Sequence, residues 1–300
     1  MKTRTKVLLG IFGFYLASII LVVVIFGFTR QDNDEFLPQN EFKLDTWVEL
    51  GPLDINKAVM YLFIAGILTV ATMFYVAKRM QERPNKVQTA VEALYTLMRD
   101  NITGGNMDDR MARKWFPFIG SLFLFIWFSN LIGYIPLPTN TEHPIEVFGI
   151  EIPAFALYAA TANISIPLVL TLVVWIAYHV EGIRAKGFFA YFASWLPPGL
   201  EEMNPFGKAA IFTIEVISHF VRLISLSVRL FANILAGHLL LLFMGGGLAV
   251  LLGIAALGAL TFPMAFVFFI FEVGLVATLQ AFIFSTLTAI YIGGATSASH

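Results

Sequence analysis

The stretch Ser225-Leu-Ser-Val-Arg229-Leu-Phe-Ala-Asn233-Ile-Leu-Ala-Gly-His238 places an arginine inside an apolar run of about 40 residues, Pro205–Met244. About 20 such residues are enough to cross a bilayer as a helix. An arginine at the centre of a membrane helix costs about 2.5–3.5 kcal/mol on insertion scales and is seldom there without a partner or a pathway. Because arginine stays protonated at physiological pH, the stretch predicts a membrane helix that handles protons or anions.

The composition is that of a polytopic membrane protein. The 300 residues are 58% hydrophobic and 13% charged, whereas soluble domains are about 45–50% apolar and 25% charged. The chain has no cysteine, which excludes disulfides, thiolate metal sites and cysteine nucleophiles. Because the sequence also has no nucleotide-binding loop and no metal-binding cluster, we expect neither a cofactor nor a bound metal.

Six apolar segments are long enough to span a membrane as helices. They are Val7–Phe28, Ala58–Ala77, Phe116–Pro136, roughly Ala156–Tyr178, Pro205–Met244 and Ala249–Ile292. Each of the last two would be about 60 Å long as a helix, about twice the hydrocarbon thickness, so it must tilt, break or lie nearly in the membrane plane. We therefore predict an all-α fold with about five to six transmembrane helices, the last two forming a long, strongly tilted hairpin that turns at Gly245–Gly247.

The distribution of basic residues predicts the side of the membrane on which each loop lies. The Lys78–Trp115 loop carries eight Lys or Arg, Asp32–Asp54 is acidic, and Leu137–Ala156 has three glutamates and no Lys or Arg. By the positive-inside rule the first of these loops is cytoplasmic and the other two are outside. The C-terminus is then cytoplasmic if the last hairpin spans.

The first apolar segment has two interpretations. Its basic start fits a secretory signal, but its apolar stretch of about 22 residues is longer than the usual 7–15, and no clear cleavage site follows it. It is therefore either a retained helix or a cleaved signal. We divide the chain into an N-terminal extension, residues 1–46, and a membrane domain, residues 47–300.

Five polar residues of the Pro205–Met244 run lie on one helical stripe. Glu215, His219, Arg222, Arg229 and Asn233 follow one another in steps of four, three, seven and four residues, which bring side chains to the same face of a helix. Lipid cannot satisfy such a stripe, so it must face protein or a water-filled cavity.

Several polar residues also have structural interpretations. Arg222 either pairs with an acidic neighbour or reaches the membrane interface. His219 is either an interhelical hydrogen bond or a proton carrier. Glu272 lies in an apolar run and faces a cavity or a histidine. For Asn130 and Asn163 the simplest role is hydrogen bonding between helices.

Several stretches resemble subunit a of F-type ATP synthases. The Ser225–His238 stretch is similar to the signature of that family, as is the last apolar segment, Leu279-Gln280-Ala-Phe-Ile-Phe284. Further similar stretches occur in the same order along the chain: Pro84-Asn-Lys-Val-Gln-Thr-Ala-Val-Glu92, Asn130-Leu-Ile-Gly-Tyr-Ile-Pro136 and Thr161-Ala-Asn163-Ile-Ser165. The resemblance runs from about Trp47 to the C-terminus.

The resemblance implies a stator subunit that lies in the lipid bilayer against a rotating ring of c subunits. Its other partners would be the peripheral-stalk b subunits and the remainder of the ATP synthase, with no nucleic acid and no catalytic site of its own. Such a subunit provides two half-channels that couple proton flow to ring rotation and ATP synthesis. The location implied is the inner membrane of a bacterial cell.

Residue roles follow from the same resemblance. Arg229 would be the essential arginine that faces the ring, and Asn233, His238 and Gln280 would border the half-channel from the outside. Glu215 and Ser225 would serve the cytoplasmic path. The further candidates are Glu272, His219, Arg222, Asn130 and Asn163.

One position departs from the family pattern. A histidine at the position of His238 is expected to have a glutamate seven residues before the glutamine, but Glu272 is eight residues before Gln280 and Val273 holds the expected place. On an ideal helix, eight residues separate two side chains by about 80°, against about 20° for seven. A single π-bulge near Gly274 would absorb the extra residue.

Two other classes of function compete with this interpretation. In a secondary transporter or channel, Arg229 would bind an anionic substrate, but the internal repeats of many such proteins are missing. A purely structural membrane scaffold leaves Arg229 unexplained. Co-purification with a ring of small hairpin subunits would separate the stator from both alternatives.

The orientation can be tested directly because the chain has no cysteine. A cysteine introduced by Asn33→Cys should react with an impermeant thiol reagent from outside the cell, and one introduced by Gln81→Cys should not. Thiol labelling of intact cells measures both. The opposite labelling pattern would overturn the orientation.

Overall fold

We describe the fold from a computed structural model. It describes residues 3–26, 42, 44, 46–48, 55–79, 81, 86–147, 150–196 and 204–297. Most of the acidic stretch Asp32–Asp54, including Asn33, lies outside these residues.

The described part of the chain is built from helices. They are α1 (Thr3–Phe26), α2 (Lys57–Arg79), α3 (Lys86–Thr96), α4 (Asp109–Ile132), α5 (Ser165–Lys186), α6 (Phe188–Ala193), α7 (Pro205–Leu242), α8 (Leu248–Leu252), α9 (Ala255–Phe271) and α10 (Ala277–Thr296). Three π-helical segments, Leu97–Thr103, Phe243–Gly247 and Glu272–Val276, continue α3, α7 and α9, and a 3-10 turn covers Ala160–Ala162. The predicted all-α fold class is confirmed.

Two antiparallel strand pairs connect the helices. Strands β1 (Thr46–Val48) and β2 (Ile55–Asn56) form one pair. Strands β3 (Leu137–Val147) and β4 (Ile150–Ala156) form a longer hairpin in which Glu146 is opposite Glu151. Both regions were predicted to be loops, and the strand pairing was not predicted.

Five helical segments are long and apolar enough to cross a membrane. They are Lys57–Lys78, Asp109–Ile132, Ser165–Lys186, Pro205–Leu252 and Leu257–Thr296. These segments confirm five of the predicted spans. Helix α1 packs against α9, where the Tyr15 hydroxyl donates a hydrogen bond to the Leu260 carbonyl at 2.7 Å. A retained first helix therefore has a packing partner within the chain.

The fourth predicted span was wrong in its bounds. We expected Ala156–Tyr178, but the helix begins at Ser165 and ends at Lys186. The Asn163 Oδ1 accepts a hydrogen bond from the Ser165 amide at 3.0 Å, so a side chain satisfies a donor of the first turn. The residues before it end β4 and form the 3-10 turn.

The turn between the last two spans is longer than the predicted Gly245–Gly247. Helix α7 continues through a π-helical segment in which Gly246 has a φ of 141°, a value that favours glycine. The short helix α8 follows and ends at Gly253, which is left-handed with a φ of 68°. The chain then returns as α9, which packs against α8.

The core lies where α4, α5, α7 and α10 meet. Its largest fully buried side chains include Ile119, Phe123 and Ile126 of α4, Leu230 and Ile234 of α7, and Phe284 of α10. Polar contacts join the same helices: Trp127 Nε1 donates to Thr278 Oγ1 at 3.0 Å, and Lys114 pairs with the buried Glu181. In lipid such packing and interhelical bonds hold helices together. Here the two bonds join α4 to α10 and to α5, and Leu230 and Ile234 pack α7 into the same core.

Candidate ion-translocation site

Helix α7 begins where the sequence provides a cap. Pro205 occupies the first helical position and the Asn204 side chain accepts a hydrogen bond from the Phe206 amide at 3.3 Å. From there the helix runs unbroken for 38 residues. It therefore carries all five residues of the predicted stripe on one rigid element.

Arg229 lies on the face of α7 that points away from the core. Leu226, Leu230 and Ile234 are buried where α7 packs against the core, whereas Arg229 and Asn233 are exposed. The exposed neighbours of Arg229 on this face are small: Ser225, Val228, Ala232 and Ala236. Within the described part of the chain the guanidinium makes no hydrogen bond or ion pair.

Asn233 and Gln280 meet one turn beyond Arg229. The Asn233 Nδ2 donates to the Gln280 Oε1 at 3.0 Å, which joins α7 to α10 across 47 positions of sequence. Gln280 is buried and Asn233 is exposed. The amide pair therefore extends from the exposed face of α7 into the protein, as a polar border beside the arginine.

The π-helical segment expected near Gly274 is present. It covers Glu272–Val276 and joins α9 to α10. Because it takes up one extra residue, Glu272 is brought onto the inward side of the helix and is buried at 6% exposure. The eight-residue spacing to Gln280 is therefore compatible with a buried glutamate on the same side.

A third residue joins His238 and Glu272. The Tyr134 hydroxyl donates to Glu272 Oε2 at 3.0 Å, and its ring lies 4.6 Å from the imidazole of His238 between centroids. All three side chains are buried. Among the described residues, His238 and Glu272 form no direct hydrogen bond with each other. Tyr134 contacts both of them.

Two glycines make room for this cluster. A Cβ at Gly237 would collide with the Glu272 carboxyl, and a Cβ at Gly133 would collide with Ala159. The Gly133 carbonyl oxygen lies 3.1 Å from His238 Nε2, and the Ile234 carbonyl oxygen lies 3.0 Å from His238 Nδ1. A backbone carbonyl oxygen therefore lies within hydrogen-bond distance of each imidazole nitrogen.

A polar cavity of 550 Å³ lies at the other end of α7. Its lining includes Glu215, His219 and Arg222 of α7, Lys186 of α5, and Tyr291 and Ala295 of α10. We call this space the cytoplasmic cavity because it lies at the helix ends that the charge distribution predicts to be cytoplasmic. Ser225 is not in its lining and instead belongs to the exposed face around Arg229.

Two residues whose roles were left open, His219 and Arg222, have contacts in this cavity. The Tyr178 hydroxyl and His219 Nδ1 are hydrogen-bonded at 2.9 Å, so His219 does form an interhelical bond. The Arg222 guanidinium lies 5.8 Å from the centre of the Tyr291 ring, a cation–π distance. No ion pair between Arg222 and Glu215 is present among the described side chains.

Asn130 and Asn163 lie away from the exposed face of α7 and have structural partners. Asn130 is fully buried and accepts a hydrogen bond from the Thr161 hydroxyl at 2.7 Å. The Asn163 side chain accepts a hydrogen bond from the Ser165 amide just before α5. These contacts favour the helix-packing role, and a part for either residue in ion translocation stays a prediction.

Sequence analysis did not single out Tyr134, Tyr178 or Tyr291. Tyr134 follows the end of α4 in the quoted stretch Asn130–Pro136, where a phenol after an apolar run is also typical of an interfacial anchor. Only the packing of α4 against the last two spans shows that its hydroxyl reaches Glu272.

Comparison with known proteins gives the family. A sequence profile described as ATP synthase A chain matches residues 59–293. The chain is 34% identical over 240 residues to the ATP synthase subunit a of Rubrobacter xylanophilus, covering 80% of this chain and 83% of the relative. It is 36% identical over 240 residues to the ATP synthase subunit a of Helicobacter pylori, covering 78% and 89%. The chain belongs to the ATP synthase A chain family.

Membership of this family confirms the resemblance seen in the sequence. Together with the five apolar spans and the bacterial relatives, it makes the chain a multi-pass protein of a bacterial inner membrane. The family assignment also gives context to the placement of Arg229: a subunit of a larger complex can expose a charged face that another subunit covers.

The Tyr134 hydroxyl is expected to couple Glu272 to His238. Alanine substitutions at His238 and Glu272 should be strongly non-additive in ATP-driven proton pumping, because the two residues share one buried cluster. In a Tyr134→Phe background, which keeps the ring but removes the hydroxyl, this non-additivity should largely disappear. Acidification of inverted membrane vesicles by the single, double and triple variants measures it.

Tyr158 provides a matched control. It is a buried tyrosine whose hydroxyl has no hydrogen-bond partner among the described residues, so Tyr158→Phe should leave the coupling unchanged. Full coupling between His238 and Glu272 in the Tyr134→Phe background would contradict the role of the hydroxyl.

Proposed function

We propose that this chain is the proton-translocating stator subunit of a rotary F-type ATP synthase, with Arg229 facing a ring of c subunits. The observation that carries the proposal is the placement of Arg229. It is a permanent cation on an exposed face of a membrane helix, bordered by small side chains and without a partner in the described chain. Family membership supports a membrane subunit of the Fo sector that takes part in proton transport.

The exposed face of α7 suits a moving helical partner. Lipid alone would leave the guanidinium unsatisfied, at a cost of several kcal/mol. Ser225, Val228 and Ala232 let a second helix approach closely, as small residues do at helix interfaces in membranes. A carboxylate on that helix would give Arg229 the counter-charge that this chain does not provide.

Two polar regions then serve as half-channels on opposite sides of the arginine. The outer one includes His238, Glu272 and Gln280, to which Tyr134 is added here. The cytoplasmic one is the cavity that Glu215, His219 and Arg222 line. Because Arg229 lies between them along α7, a proton cannot pass from one region to the other without approaching the fixed charge.

The electrostatics of the arginine explain the coupling. A fixed cation favours the ionised form of a neighbouring ring carboxylate, so the carboxylate releases its proton as it approaches. It is reprotonated from the other half-channel after it has passed. Proton flow must therefore turn the ring, driven by about 2.3 kcal/mol per charge for each 100 mV of membrane potential.

The remaining partners follow from the same proposal. The c ring covers the exposed face of α7, and peripheral-stalk b subunits hold this chain against rotation. The chain needs no catalytic site of its own, because ATP synthesis takes place elsewhere in the complex. The lipid-facing surface is provided by exposed apolar side chains such as Phe63, Ile67 and Phe262.

Replacement of the arginine tests the proposal. Arg229→Ala should eliminate ATP synthesis and ATP-driven proton pumping while the complex still assembles. Losing this charge should not weaken the fold, because placing a charge at membrane depth is unfavourable. Passive proton leak should persist or rise, since ring carboxylates could then pass the stator in the protonated form. Vesicle acidification measures pumping, and co-purification of the ring measures assembly.

Arg222→Ala is the matched control, because it removes a second guanidinium from the same helix. Arg222 contacts the Tyr291 ring at the cytoplasmic cavity, which gives it a structural role. Arg222→Ala should therefore reduce proton pumping less than Arg229→Ala does. An assembled complex that still pumps protons without Arg229 would overturn the proposal.

A further inference from the structure

The short helix α6 has a single buried side chain. With six residues it is too short to be stable by itself. Tyr191 is its only buried residue, at 2% exposure, whereas Phe188 and Phe189 are 57% and 86% exposed. Tyr191 therefore makes the buried contact of α6 itself, and Trp195 after it packs against Phe212 and His219 of α7.

Helix α5 contains a socket for this tyrosine. A Cβ added at Gly182 would collide with the Tyr191 ring, so the ring occupies the space that the glycine leaves open. The Tyr191 hydroxyl and His179 Nδ1 are hydrogen-bonded at 2.6 Å, one turn earlier on α5. Gly182 and His179 thus fix the ring and its hydroxyl separately.

The anchored segment forms a wall of the cytoplasmic cavity. Tyr191, Ser194 and Trp195 line the cavity opposite Glu215 and Arg222. The Trp195 ring lies 4.2 Å from the imidazole of His219 between centroids. The segment that Tyr191 joins to α5 therefore also contacts the polar face of α7.

We propose that Gly182, His179 and Tyr191 are positioning residues that hold the wall of the cytoplasmic cavity formed by Tyr191, Ser194 and Trp195, and so set the access of water to Glu215 and Arg222. The inference rests on the proposed function only in treating this cavity as part of the proton path. The anchoring itself follows from the socket, the hydrogen bond and the burial of Tyr191, none of which involves Arg229.

A single-cysteine reporter can measure the state of this wall. Ala295→Cys places a thiol in the lining of the cavity, on α10 and away from the anchor, in a chain without other cysteines. The reporter is combined with Gly182→Ala, Tyr191→Phe or Tyr191→Ala in the assembled complex. The rate of reaction with an impermeant thiol reagent is measured on inverted vesicles, and ATP-driven acidification is measured on the same vesicles.

Gly182→Ala and Tyr191→Ala should each raise the labelling rate at least about threefold and lower acidification by a similar factor, because a released wall opens locally. Tyr191→Phe should have a smaller effect, since its ring still fills the socket. The double variant Gly182→Ala/Tyr191→Ala should resemble Tyr191→Ala alone, because the collision needs the ring. Phe189→Ala, on the exposed side of α6, should change neither rate.

Unchanged or lower labelling in Tyr191→Ala, or additive effects in the double variant, would overturn the inference. Raised labelling with undiminished acidification would also overturn it, because the wall would then not serve proton passage. Failure of the proposed function itself is distinguishable, since it would be seen as continued pumping in Arg229→Ala with the labelling pattern unchanged.

Discussion

The structure depends on one unsatisfied charge. Arg229 is exposed at membrane depth, and the described chain offers it no acceptor. Such a charge is costly in lipid, so a face of protein or water must cover it. The core packing of α7 through Leu226, Leu230 and Ile234 directs the arginine outwards and keeps it from finding a partner within its own chain.

The length of α7 places the two polar regions on either side of that charge. Glu215 and His238 are 23 positions apart in sequence, which corresponds to about 35 Å along a helix, close to the hydrocarbon thickness. Arg229 lies between them. The cytoplasmic cavity and the cluster of Tyr134, His238 and Glu272 therefore lie at opposite ends of one rigid helix. Helices α5 and α6 contribute residues to the cavity, whereas the chain just after α4 and the π-helical turn contribute residues to the cluster.

The features that depend on local sequence spacing were predicted from the sequence. The stripe on α7 followed from helical spacing, and the π-helical turn followed from the extra residue between Glu272 and Gln280. It did not predict Tyr134 or Tyr191, because their contacts depend on which helices pack together. The start of α5 was missed because hydropathy does not register a local side-chain hydrogen bond, although Asn163 two residues before Ser165 was a usable signal.

The central claim is that the exposed face of α7 around Arg229 is covered by the c ring. Disulfide cross-linking tests it most directly, with Ala232→Cys on the exposed face and cysteines placed in turn along the carboxylate-bearing helix of the ring subunit. The account predicts an a–c cross-link from Ala232→Cys, and none from Ala281→Cys in the core or Val169→Cys on the exposed side of α5. Absence of the first cross-link in an assembled, pumping complex, or equal cross-linking from the α5 position, would contradict it.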